Sequence, residues 1–345
     1  MFRTNHRNAD ISRARRLFVA LPLVAIAATA VAGPTAAAGR PPGHANLTHG
    51  LLRVRGTQAS DKIALRLQAG QPEILEIDFG DDGSADFSVP RADIARIVVD
   101  AGRGDDAIRL DESNGIFTDA IPTIISGGTG DDTISGGSGA ETLIGGDGSD
   151  VIDGNRGNDL GLMGDGDDTF VWDPGDGSDT VEGQSGDDAM VFNGAGVAEQ
   201  VNLSANGSRL AFFRNPGNVT MDTAGVERVD FNALGGADVV TANDLTGTDV
   251  TSVNIDLAGA LGGATGDGQP DRVIVNGTNG DDAIDVSGDS GEVKVAGLNP
   301  TIRVFHTEAA NDRLEVNTLA GTDTVSFVGL VAGSIQLLVD GALVP

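Results

Sequence analysis

Cysteine and tyrosine are absent from the 345 residues, and tryptophan occurs once, at Trp172. Without cysteine there is no disulfide, no thiolate metal site and no Cys nucleophile. Lysine is confined to Lys62 and Lys294, and the 22 Lys and Arg face 51 Asp and Glu, a net charge of −29. Nucleic-acid binding rests on neutralising phosphates with Lys and Arg, so this balance excludes it and argues against an anionic membrane surface. Histidine is limited to His6, His44, His49 and His306. No H-E-x-x-H and no G-x-S-x-G occurs, which removes the metalloprotease and serine-hydrolase signatures. A Gly-X-Y period is missing too, so the 51 glycines do not make a collagen.

What is present begins with a leader. Met1–Arg16 is basic, Leu17–Ala32 is an uncharged apolar run of 16 residues, and it ends in Ala30-Val31-Ala32. This is the pattern of a secretory signal peptide over residues 1–32, too short for a span of about 20 residues. Ala14–Ala20 (ARRLFVA) resembles the twin-arginine export signal. The expected location is extracellular, with no membrane insertion after leader removal. Gly33–Gly50 reads as a flexible linker from its Gly, Pro and small residues.

From Gly127 the chain reads in nines: GGTGDDTIS, GGSGAETLI, GGDGSDVID, GNRGNDLGL, MGDGDDTFV, then PGDGSDTVE and GQSGDDAMV after the insert Trp172-Asp173. The sixth place holds Asp132, Glu141, Asp150, Asp159, Asp168, Asp179 and Asp188. The eighth holds Ile134, Leu143, Ile152, Gly161, Phe170, Val181 and Met190. The glycine half can turn, because Gly permits positive φ and close backbone approach. The second half is a very short strand with one inward side chain.

The pattern G-G-x-G-x-D-x-U-x resembles the RTX, or haemolysin-type, calcium-binding repeats. Thr169–Gly183 (TFVWDPGDGSDTVEG) is similar to the stretch that often ends such an array. The resemblance implies an all-β chain, a right-handed parallel β-roll or β-helix solenoid with Ca-stacked turns. Two repeats would make one coil, so alternate turns would stack about 4.8 Å apart. Ca²⁺ would then lie between turns, taking carboxylate and carbonyl oxygens; it accepts 6–8 such oxygens in irregular geometry, which Mg²⁺ does not. One edge would stack Asp132, Asp150, Asp168 and Asp188, the other Glu141, Asp159 and Asp179, giving about five intercalated sites. Glu141 is expected to weaken its site, Gly161 to leave out a core plug, and the insert to shift the last coil.

The flanks look like worn copies. Val54–Leu65 aligns with Val275–Val286, Ala95–Ile108 with Glu227–Val240, and residues 231–249 with 305–323. They are similar to segments that recur in secreted RTX-repeat proteins, and they imply degenerate β-repeats over 51–126 and 193–330, with a tail at 331–345. Asp106 and Asp282 keep the full turn and are further metal candidates. Ile77–Val89 places Asp78, Asp82 and Asp86 like a partial EF-hand loop, broken at Gly80 and Val89, and reads better as a polar turn.

Catalysis has little to work with. His306 is the one serious base, and GDSG (Gly288–Gly291) stands without the His context of the trypsin-like proteases that it resembles. Phe212, Phe213 and Trp172 read as core rather than a sugar-stacking face. The leading expectation is an exported, non-enzymatic protein that binds calcium ions, with a structural, adhesive or matrix role and cell-surface or matrix polysaccharide as the partner class. A carbohydrate-active β-helix enzyme is the alternative, and passive acidity for a salty habitat is a third.

Overall fold

The computed structural model describes residues 43–289 and 291–344, all within a single compact unit. The expected leader and Ser290 of the GDSG stretch lie outside the described residues. The described chain is all-β, with 29 short strands and two single 3-10 turns at Arg91–Asp93 and Pro216–Asn218. Among the described residues no helix is long and apolar enough to cross a membrane.

The strands form two sheets, one of 15 and one of 14. Through the repeat array the chain passes from one to the other at every strand. Arg96–Arg103, Thr123–Thr129, Thr142–Asp147, Leu160–Asp165 and Thr180–Ser185 are neighbours in the first sheet, all parallel. Ala107–Asp111, Thr133–Ser135, Val151–Asp153, Thr169–Trp172 and Ala189–Asn193 are neighbours in the second, also parallel. Pairing joins each residue to its counterpart two repeats on: Ile134 to Ile152, and Ile152 to Phe170. A nine-residue unit leaves room for only three to six strand residues. Most of the array's strands therefore bury one or two side chains, and Ala189–Asn193 buries four.

The core follows from that alternation. Ile134, Leu143, Ile152, Phe170, Val181 and Met190 have no exposed surface. Burying an aliphatic or aromatic side chain of this size stabilises by about 1.5–3 kcal/mol. Gly161 does not leave a hole. A Cβ there would stand 2.8 Å from the Phe170 ring, so the aromatic already fills the space that the glycine vacates.

Nor does the insert break the register. Trp172 extends its strand by one residue, pairs with Phe192 and stacks on it at 4.0 Å with the rings 6° apart. Its indole Nε1 donates to the Gly177 carbonyl at 2.9 Å. Phe212 and Phe231 complete a buried aromatic cluster around Phe192, so these rings and Trp172 are core, whereas Phe213, expected there too, is half-buried on the other face of its strand, outside that core.

The flanks keep the two-sheet pattern but insert antiparallel strands. Gln200–Asn206, Arg209–Arg214 and Val219–Ala224 form an antiparallel insert in the first sheet. Ala283–Asp289, Glu292–Ala296 and Thr301–Phe305 do the same in the second. Lys62–Gln68, Gln71–Phe79 and Phe87–Pro90 end the second sheet on its other side. The segment expected as linker is strand from His44 to Thr48, paired antiparallel with Leu51–Arg55. Ala45 is the buried residue of that strand, and His49 and Gly50 both take positive φ, the conformation a two-residue hairpin turn demands. An asparagine row, Asn243, Asn276 and Asn317, links amide to amide at 2.9 Å along the C-terminal flank.

Candidate metal centre

The sixth-place acids are buried, with 3% exposure or less, although nothing about an isolated Asp-Gly turn would bury them. They lie in two lines. In the turns that lead into the second sheet, the backbone N–H of Asp106 donates to Oδ1 of Asp132 and that of Asp132 to Oδ1 of Asp150, each at 2.7 Å. Asp150 continues to Asp168 at 2.7 Å, and Asp168 to Asp188 at 2.9 Å. In the turns that lead into the first sheet, Glu141 donates to Asp159 at 2.7 Å and Asp159 to Asp179 at 2.8 Å. The sequence spacing along the lines rises from 18 to 20 residues across the insert, yet the hydrogen bond is unchanged.

Glycine makes this possible. The second-place residues Gly128, Gly146 and Gly164 have φ of 121°, 132° and 126°, and each is paired with the next coil's counterpart. At the first place, a methyl on Gly127, Gly145, Gly154 or Gly183 would collide with Oδ2 of Asp132, Asp150, Asp159 or Asp188 in its own turn. The carboxylate folds back over the glycine, which is why both residues recur together.

One oxygen of each acid is therefore satisfied by a backbone N–H, and the other has no partner. Oδ2 of Asp132, Asp150, Asp159, Asp168, Asp179 and Asp188 and Oε1 of Glu141 are buried without a hydrogen bond. Burial, and secondly the acid in the next coil, push the carboxyls up: Asp132 to about 7, Asp150 to about 6 and Asp159 to about 9. Asp179 and Asp188 rise to about 6, for burial above all, and Glu141 and Asp168 rise for the same cause. A buried anionic oxygen without a partner is costly unless a cation or a proton meets it. The donor set is all oxygen, which suits a hard cation such as Ca²⁺. Among the described residues no three Asp, Glu, His or Cys side chains gather closely enough to hold a metal by themselves, so backbone carbonyls would have to complete any shell.

Glu141 fits its longer chain into the line. Its Oε2 accepts the Gly137 N–H at 2.9 Å. Asp106 joins the first line, accepting from the Asp61 N–H at 2.6 Å. Asp282 stands apart: Thr278 N–H and Oγ1–H donate to its two oxygens, and its own N–H goes to Asp323. The EF-hand-like stretch is a hairpin turn in which buried Asp78 accepts from Arg66 at 2.8 Å and from the Gly83 N–H at 2.9 Å. His306 places Nδ1 2.6 Å from Asp256 Oδ1.

The flanks carry acids in the same position that were not among the expected ligands. The Asp188 N–H donates to Glu227, Glu199 to Asp238, Asp238 to Asp271 and Asp271 to Asp312. The matched pair Asp238 and Asp312 was the sequence signal, since each directly precedes a short alternating strand. No family model matches the chain, and no curated protein matches it.

Proposed function

We propose that the chain is an exported, non-catalytic calcium-binding repeat protein of the RTX kind. Its nonapeptide array winds as a right-handed β-roll, the hand that parallel crossovers take in nearly all sheets. The observation that carries the reading is the pair of lines of buried carboxylates, each with one oxygen held by a backbone N–H and the other unpartnered. Glycine carbonyls from successive turns and these free oxygens supply the oxygen-only shell that Ca²⁺ takes.

Without the ion, the lines repel and the many glycines favour the open chain. Ion binding then becomes folding free energy, so the roll closes where Ca²⁺ is abundant, outside the cell. An acidic β-roll formed in that place suits a structural, adhesive or matrix role, with surface or matrix polysaccharide as the partner.

Circular dichroism of the chain during a Ca²⁺ titration, with Mg²⁺ as control, tests this. Strand signal should rise with Ca²⁺ and respond much less to Mg²⁺. Full strand signal in chelator, unmoved by Ca²⁺, overturns it.

A further inference from the structure

The stretch from Gly43 to Ser60 holds no aspartate or glutamate, in a chain that carries 51 of them. It supplies two strands, His44–Thr48 and Leu51–Arg55, which pair with each other and then with Arg96–Arg103. Alternation sorts their side chains. Ala45, Leu52, Val54, Ile97 and Val99 enter the core, so His44, Asn46, Arg53, Arg55 and Arg96 stand on the solvent face of the first sheet, all exposed. Register sets His44 opposite Arg55, Asn46 opposite Arg53 and Arg96 opposite Leu51. Arg53 and Arg55 lie about 7 Å apart along their strand.

Several arginines elsewhere are taken by carboxylates: Arg109 by Asp81 and Asp111, Arg209 by Glu182 and Asp222, Arg272 by Glu315. Among the described residues, Arg53, Arg55 and Arg96 have no such partner. The one acid on this face of the three strands is Asp100, opposite Arg55 and not ion-paired with it. The patch is therefore a place of opposite sign on a chain of net charge −29. At physiological ionic strength charges further off than about 8 Å are largely screened, so a bound anion feels the arginines and little of the remote acids.

Beside the cations the surface offers hydrogen-bonding groups and a long uncharged floor. An open groove of about 500 Å³ adjoins Arg53, lined also by Asn46, Thr48, His49 and Leu51. Its amide and hydroxyl groups match the hydroxyls of a sugar. From Arg53 the row of laterally paired residues continues through Val98, Ile124, Thr142, Leu160 and Thr180. All five are half-buried and none is charged. Five strand spacings make this floor about 24 Å long. A linear polymer can lie along it, with its acidic groups at the arginine end. Guanidinium grips carboxylate and sulfate alike through paired N–H donors.

We propose that the N-terminal end of this sheet face binds an acidic polysaccharide, with Arg53, Arg55 and Arg96 on its carboxylates or sulfates and the polymer running across the strands over Val98 and Ile124. The site rests on the reading of a polysaccharide partner and narrows it: the polymer is anionic, and fixed cations of the protein hold it.

Surface plasmon resonance of the full chain in saturating Ca²⁺ tests this with polygalacturonate, dextran sulfate and neutral dextran. One or both acidic polymers should bind, more weakly as salt rises, and dextran should not; the stronger of the two identifies the group recognised. Arg53→Gln with Arg55→Gln, both on exposed positions, should weaken binding at least about tenfold, and Arg96→Gln should weaken it in the same direction. Arg156→Gln removes one exposed charge elsewhere and should bind as wild type. Equal affinity of the double variant and wild type overturns the site, as does an equal loss in Arg156→Gln. Binding of anionic phosphatidylserine vesicles but of neither polymer gives the patch to a lipid surface, and self-association abolished by the double variant, without polymer binding, gives it to a second copy; each overturns the proposal. Full strand signal in chelator would sink the calcium-folding reading alone, since the polymer assay runs on the folded chain in either case.

Discussion

The backbone N–H of Asp150 donates to Oδ1 of Asp168, one coil further on, at 2.7 Å, while Oδ2 of each carboxylate is buried without a partner. One side chain thus does two things that pull in opposite directions. It ties neighbouring coils together, and it places an anionic oxygen next to the equivalent oxygen of the next coil.

The two roles separate by substitution. Asp150→Ala removes the acceptor of the Asp132 N–H, leaving a buried donor unmet, and should cost about 1–3 kcal/mol with or without Ca²⁺. Asp150→Asn keeps the acceptor and removes the charge. It should raise the urea midpoint in chelator and lower it in saturating Ca²⁺. The same sign under both conditions would count against a cation at this position.

The acid lines set a pH dependence for the metal-free chain. Asp132, Asp150 and Asp159 rise to about 7, 6 and 9 in the folded chain, chiefly through burial. In the unfolded chain an Asp titrates near ~3.9. The folded state therefore holds more protons between these values. Its stability is complete below about pH 4 and falls as pH rises through 6 to 9. Urea unfolding in chelator should show a lower midpoint at pH 8 than at pH 5. With saturating Ca²⁺ the trend should flatten or invert, because ions displace the protons.

Gly161 is committed to glycine by Phe170. A methyl there meets two ring carbons at 2.8 and 2.9 Å, and overpacking of this kind costs about 1–3 kcal/mol. Gly161→Ala should lower the thermal midpoint in Ca²⁺. Adding Phe170→Leu should recover part of the loss, and a purely additive double variant would refute the contact.

Gln184 stands at the second place of the last repeat with φ of 76°, where most other repeats carry glycine. Left-handed backbone costs a side-chain-bearing residue roughly 1–2 kcal/mol, and glycine's own entropy takes back about 0.5–1. Gln184→Gly should therefore stabilise the chain by roughly 0.5–1 kcal/mol, read as a higher denaturant midpoint.

Much of this was legible in the residues, and what was not has physical reasons. Ile134, Ile152 and Phe170 fall every 18 residues because two nonapeptides make one passage through both sheets. The acids of each line follow the same count, so Asp132, Asp150 and Asp168 could be placed together before any coordinates. Glu199, Asp271 and Glu227 could not. An inserted pair of antiparallel strands separates Glu199 and Glu227 from their partners Asp238 and Asp188, and Asp271 closes GDGQPD, a turn that carries no repeat signature. His44–Thr48 was hidden by its Gly- and Pro-rich surroundings, and the strand exists because Leu51–Arg55 is there to pair with it.

By itself the sequence determined the alternation of glycine turn and short strand, the inward face and the periodic acids. All of these depend on neighbours within nine residues. Only the tertiary structure decided how deeply the acids are buried, that Phe170 fills the gap at Gly161, and that Arg214 forms a buried ion pair with Glu199. Those depend on residues brought together by stacking, where register set by backbone pairing, rather than local propensity, chooses the neighbour.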